Sequence, residues 1–174
     1  MDGERAVVAG ADGAAIGLIS AGSGDPLLLI HGGMGRAERW EPLWAALSSR
    51  ARVTAMDRRG RGTSSDGPSY SAALESADIG AVVHYLAEQA DRGVDVVAHS
   101  IGATFLIDAA SNNADVRRLV VYEAAGPETV AEGWANRVAE LVSRGEVGRA
   151  VADFLLNIIG LSREEIVRLR EQRG

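Results

Sequence analysis

Apolar positions follow two different spacings along the chain. Short aliphatic and β-branched runs recur at Ala6 to Val8, Ile16 to Ser20, Leu27 to Ile30, Arg52 to Met56, Val94 to Ala98 and Val116 to Tyr122, and each reads as a strand. The first two are joined through Gly10-Ala11-Asp12-Gly13, which predicts a hairpin-like turn. Leu27-Leu28-Leu29-Ile30 is apolar at every position, as a central strand covered on both faces requires. Between the strands the spacing turns helical. Trp40 to Arg50 carries Trp40, Leu43, Trp44 and Leu47 on one side. Ser71 to Arg92 carries Leu74, Ile79, Val82, Val83 and Leu86 on its inner side, and Ile101 to Ala110 follows its strand with almost no loop. This alternation predicts an α/β fold: a mostly parallel sheet of about six strands with helices on both faces.

After Gly126-Pro127 the strand signal stops. Val130, Trp134, Val138, Leu141 and Val142 form one helical stripe, and Val147, Val151, Phe154, Leu155 and Ile158 form another. Ser162-Arg163-Glu164-Glu165 then has the form of a capping box, with Ser162 as N-cap. The chain is expected to divide into a core over 1–126 and a helical segment over 127–174.

Composition narrows the chemistry. The 174 residues suffice for one sizeable core, and 47% hydrophobic with 24% charged residues is ordinary for a globular protein. A net charge of −6 argues against nucleic-acid and anionic-membrane partners, which select basic surfaces. With no cysteine, disulfides and thiolate catalysis are excluded. The charged start, Met1-Asp2-Gly3-Glu4-Arg5, does not read as a signal peptide, and the apolar runs are too short to span a bilayer. The expectation is a soluble, cytoplasmic protein.

Three turns carry candidate chemistry. In Val96-Val97-Ala98-His99-Ser100-Ile101-Gly102-Ala103, a serine stands between a buried strand and a helix, with small residues two positions to either side. This matches a nucleophile elbow, whose sharpness is expected to press the small flanks together. It places Ser100 at a helix N-terminus, where backbone N–H groups favour developing negative charge. His31-Gly32-Gly33-Met34-Gly35 follows the central strand. Its backbone is expected to supply an N–H from Gly33, with Met34 as the alternative, to complete an oxyanion hole with the N–H of Ile101. His31 reads as a structural hydrogen-bonding residue, and His31, Gly32 and His99 are expected along the substrate site. The third turn is Asp57-Arg58-Arg59-Gly60-Arg61-Gly62-Thr63-Ser64, in which Asp57 is expected to hold the glycine turn through side-chain to backbone bonds.

With these three motifs in this order, residues 1 to roughly 126 resemble the serine-nucleophile branch of the α/β-hydrolase superfamily. The resemblance implies a Ser–acid–His triad, a helical lid after the sixth strand, and a return of the chain from the lid to the sheet. The helices after 127 then correspond to the start of the lid, and the chain reads as an incomplete hydrolase core. Its histidines are His31, His84 and His99, none of them after the elbow. His99 adjoins Ser100 on a tight turn and is poorly placed as a base. Glu123, ending the sixth strand, reads either as a triad acid or, preferred, as a loop-capping carboxylate. The implied activity is hydrolysis of a small ester-like substrate with no cofactor or metal. Serine rather than aspartate at the elbow argues against dehalogenase and epoxide-hydrolase chemistry. The alternative is an inactive truncated homologue that binds a small molecule or a protein. The sixth strand is expected at an open sheet edge, so self-association through that edge or through the last helices is also expected.

Overall fold

Leu28 and Ile30 point to one face of their strand and Leu29 to the other, and all three are fully buried. That double burial is met by a six-stranded sheet. The computed structural model describes residues 3–126 and 130–171. Its strands are β1 (Glu4–Ala9), β2 (Ala15–Ala21), β3 (Pro26–Ile30), β4 (Arg52–Met56), β5 (Val94–His99) and β6 (Val116–Tyr122). They lie in the order β1-β2-β4-β3-β5-β6. β1 and β2 form the expected antiparallel hairpin, with Val8 opposite Ile16, and its turn closes through Gly10 N–H to the Ala14 carbonyl at 2.7 Å. β2 is antiparallel to β4; β4, β3, β5 and β6 run parallel.

Helices cover both faces. On one face Ile16, Leu28, Ile30 and Val96 pack with Ile79, Val82 and Val83 of α2 (Ala72–Ala90) and with Phe105 and Leu106 of α3 (Ile101–Ala110). On the other, Ile19, Leu29, Val53 and Ala55 pack with Ala37 and with Trp44 of α1 (Glu41–Leu47). Each large aliphatic side chain taken out of water in this way contributes about 1.5–3 kcal/mol.

Two helices differ from their sequence pattern. The stretch expected from Trp40 to Arg50 is a single 3-10 turn over Ala37–Trp40 followed by α1, which ends at Leu47. Pro42 sits in the first turn of α1, where its missing N–H costs nothing; it could not sit in the interior of one continuous helix. α2 stops at Ala90, with Ser71 as N-cap accepting from the Leu74 N–H and Asp91 left-handed at φ 49°. Its inner side carries Glu75, Ser76 and Asp78 as well as the expected aliphatic residues.

β6 is at a sheet edge, and its Leu119, Val120 and Tyr122 are exposed. The chain separates into two compact units, Met1–Ala125 and Gly126–Gly174. Within the second, α4 (Trp134–Ser143) and α5 (Val147–Asn157) are joined by a Trp134–Phe154 ring contact at 6.1 Å and by the Trp134 Nε1–H donating to Asp153 Oδ2 at 2.6 Å. α6 (Arg163–Glu171) starts with the expected capping box: Glu165 N–H donates to Ser162 Oγ, and Ser162 N–H to Glu165 Oε2. Among the described residues no helix is long and apolar enough to cross a membrane.

Candidate active site

β5 ends at His99 and α3 begins at Ile101, so Ser100 alone makes the turn between them. Its φ of 55° and ψ of −132° lie where a residue with a Cβ is strained, by about 1–3 kcal/mol. The neighbouring strand holds it there: Ser100 N–H donates to the Tyr122 carbonyl at 2.9 Å, and Ala103 N–H closes the first turn of α3 on the Ser100 carbonyl at 2.9 Å. Ala98 is fully buried. The small residue at 102 is needed for a reason other than contact between the two flanks: a methyl group on Gly102 would overlap the His31 carbonyl oxygen at the end of β3. Gly102→Val is therefore expected to lower the free energy of unfolding by about 1–3 kcal/mol, as overpacking against backbone does. Urea denaturation checks this, and an unchanged midpoint would show that β3 and α3 can part freely.

The turn after β3 wraps around a buried ring. His31 is fully buried. Its Nε2 accepts from the Arg58 N–H at 3.1 Å, so the proton is on Nδ1, which donates to the Gly32 carbonyl at 2.9 Å. Burial lowers its pKa to about 4, so the ring is neutral near pH 7. Both ring nitrogens of His31 are thus engaged within the protein. Gly32 touches the elbow: a methyl group there would lie 2.9 Å from Ser100 Cβ and 2.9 Å from His99 Nδ1. Gly33 and Met34 follow, both exposed, with Met34 at φ 55°.

His99 stacks on Tyr122, with ring centroids 5.4 Å apart, and its Nε2 lies 3.7 Å from Glu123 Oε2. Glu123, at φ 50°, is exposed. The structure therefore brings Gly32, His99, Ser100 and Glu123 together at the C-terminal ends of β3, β5 and β6. His84 is partnered separately, by Asp115 and Glu88, and these raise its pKa, with the Asp115 hydrogen bond the larger cause.

Asp57 holds the flanking loops. Its Oδ1 accepts from the Ala37 N–H at 2.8 Å, and its Oδ2 from the Thr63 N–H at 2.8 Å and the Thr63 hydroxyl at 3.0 Å. Beneath the turns lie two buried ion pairs that the apolar periodicity did not reveal, Arg58–Glu75 at 2.5 Å and Arg59–Asp78 at 2.7 Å. Among the described residues no group of three or more His, Cys, Asp or Glu side chains is placed to hold a metal ion.

Comparison with known proteins gives the same fold. Residues 27–170 match the model of the alpha/beta hydrolase family. The pimeloyl-[acyl-carrier protein] methyl ester esterase of Aliivibrio salmonicida is 32% identical over 124 residues, 71% of this chain and 45% of that protein. Protein phosphatase methylesterase 1 of Bos taurus is 33% identical over 98 residues, 54% of this chain and 26% of that protein. The crystal structure of an alpha/beta hydrolase from Sphaerobacter thermophilus superposes with a TM-score of 0.83 at 28% identity, covering 95% of this chain and 65% of that one. The chain spans about half or less of the length of the curated relatives it matches. On the family match, and with a mostly parallel sheet turning at Ser100 into a helix, the chain belongs to the alpha/beta hydrolase family.

Proposed function

We propose that this chain carries the nucleophile and the oxyanion-binding half of an ester hydrolase. The observation that carries the reading is the strained Ser100 turn, seated at the start of α3 and in contact with the Gly32 turn. The esterase names of the related proteins favour a carboxylic ester as substrate. In this reading Ser100 Oγ attacks the ester carbonyl carbon while a base takes its proton. The carbonyl electron pair moves onto oxygen, where the N–H groups of Ile101 and Gly33, or Met34 in place of Gly33, hold it. Collapse of the intermediate expels the alcohol, which recovers the proton, and water then releases the acid by the same steps. No cofactor is required.

The base is the open position. Both nitrogens of His31 are engaged, His84 pairs with Asp115, and His99 turns its Nε2 to Glu123. In the proposal the base comes from outside these 174 residues. The same observation favours a second reading, a binding module that retains the site without turnover.

A fluorophosphonate probe followed by intact mass separates the two. Without a resident base, Ser100 is expected to be phosphonylated slowly and to react faster when imidazole is added as a soluble base, with no adduct in Ser100→Ala. Fast labelling that imidazole does not change would place the base inside the chain. A folded protein left unlabelled even with imidazole would remove the nucleophile reading and leave the binding module.

A further inference from the structure

Arg58 is buried, and it touches the turn that carries the oxyanion donors from the side away from solvent. Its Nε donates to Glu75 Oε2 at 2.9 Å and its Nη2 to Glu75 Oε1 at 2.5 Å, so the carboxylate of α2 fixes the plane of the guanidinium. The remaining nitrogen, Nη1, donates to the Gly32 carbonyl at 3.1 Å and lies 3.4 Å from the His31 carbonyl. The same guanidinium lies 5.1 Å from the ring centre of Phe105 on α3, the helix that Ser100 begins.

Two successive carbonyls thus converge on one buried cation. The peptide bonds are trans, and in a trans peptide the C=O and the following N–H point in opposite directions. With the His31 and Gly32 carbonyls directed at Arg58, the N–H groups of Gly32 and Gly33 are directed away from it. Gly32 is also where the turn meets Ser100, and Gly33 is exposed.

We infer that Arg58, clamped by Glu75, is a positioning residue that holds the Gly32–Gly33 peptide and so aims the Gly33 N–H toward the oxyanion formed at Ser100. The inference rests on the reading of Ser100 as nucleophile. Lysine cannot reproduce it fully, because an ammonium lacks the planar fork that holds Glu75 with two nitrogens and leaves a third for the carbonyls.

The test compares fluorophosphonate labelling of wild type, Arg58→Lys and the charge-free pair Arg58→Met/Glu75→Met, with imidazole present and folding checked by circular dichroism. The pair removes both buried charges at similar volume. The limiting labelling rate is expected to fall about tenfold to a hundredfold in the pair and by less in Arg58→Lys, as for misplaced oxyanion donors. The probe concentration at half-saturation should hardly change. A folded pair that labels at the wild-type rate overturns the inference. Equal rates for wild type and Arg58→Lys overturn it even if the pair does not fold. Backbone relaxation of Gly32 and Gly33 is measured in parallel on unlabelled protein, where greater mobility in Arg58→Lys is expected. Unchanged mobility overturns the positioning role, whereas absence of labelling in wild type, with the mobility difference present, overturns only the nucleophile reading.

Discussion

Arg59→Met is expected to lower the free energy of unfolding by about 3–5 kcal/mol, the range for leaving one member of a buried ion pair alone. A domain of this kind has about 5–15 kcal/mol in total, so the variant should be partly unfolded or nearly so under mild conditions. Arg59 has no exposed surface, and a guanidinium has five N–H donors. All are used: Nε and Nη2 on Asp78 at 2.7 and 3.0 Å, Nη1 and Nη2 on Asp12 at 3.1 Å each, and Nη1 on the Ser69 carbonyl at 2.7 Å. Asp78 is equally buried, and among the described residues it also accepts from the Ala11 N–H at 3.0 Å. Methionine would fill much of the arginine's volume and leave that carboxylate without its cation. Asp12 is partly exposed and can be hydrated, so the cost falls mainly on Asp78.

The control is Arg59→Met/Asp78→Leu. Replacing a whole buried pair by apolar residues is often close to neutral, so the double variant should regain most of the loss. Urea unfolding of both variants measures it. If the double variant is as unstable as the single one, the damage comes from disrupted packing between α2 and the β1–β2 turn and not from a stranded charge.

These ion pairs mark the boundary of what the sequence makes legible. β4, β6 and α3 have the bounds their residues suggest, because a run such as Val116 to Tyr122 between polar turns is specified locally. The helix expected over Trp40 to Arg50 is shorter at its C-terminal end: α1 closes at Leu47, whose carbonyl accepts from the Arg50 and Ala51 N–H groups as the chain turns into β4. On α2, Glu75 and Asp78 share the inner side with Ile79 and Val82. Periodicity treats such carboxylates as solvated, and only their partners on a distant turn turn them inward. The polar residues interrupting an otherwise aliphatic stripe were the available signal. The site divides in the same way. The elbow is local: one serine, small flanks, a strand before and a helix after. The contact of Gly32 with Ser100 and the pairing of His99 with Glu123 exist because β3 and β6 lie on either side of β5, an order that no spacing along the chain reveals.

Acidification from pH 7 to pH 4 is expected to weaken the fold by about 3 kcal/mol through His31 alone. The ring has a pKa of about 4 in the folded chain, chiefly because burial penalises the imidazolium, against 6.5 when unfolded. Between those values the unfolded chain binds a proton that the folded chain refuses, so the unfolded state gains as pH falls. The stabilisation is complete above pH 6.5 and is lost by the time pH has dropped through 4. A protonated Nε2 would in addition face the Arg58 N–H, donor against donor, in a fully buried site. Other groups can be told apart by sign or by range. His84 is exposed and its pKa is raised, so whatever it contributes is present at low pH and is lost as pH rises. Asp95, held below its usual range by Arg117 and Arg118, and Glu165, held low by the Ser162 N–H, begin to lose their share only as pH approaches 4, and that share is common to wild type and the variant. The measurement is the free energy of unfolding in urea across pH 4–7 for wild type and His31→Gln, since glutamine can donate and accept hydrogen bonds but does not titrate. The wild-type slope should exceed that of the variant by the His31 share. Equal slopes would mean that the ring is hydrated or free to turn in solution, and the fixed tautomer assigned to the turn beside Ser100 would then have to be abandoned.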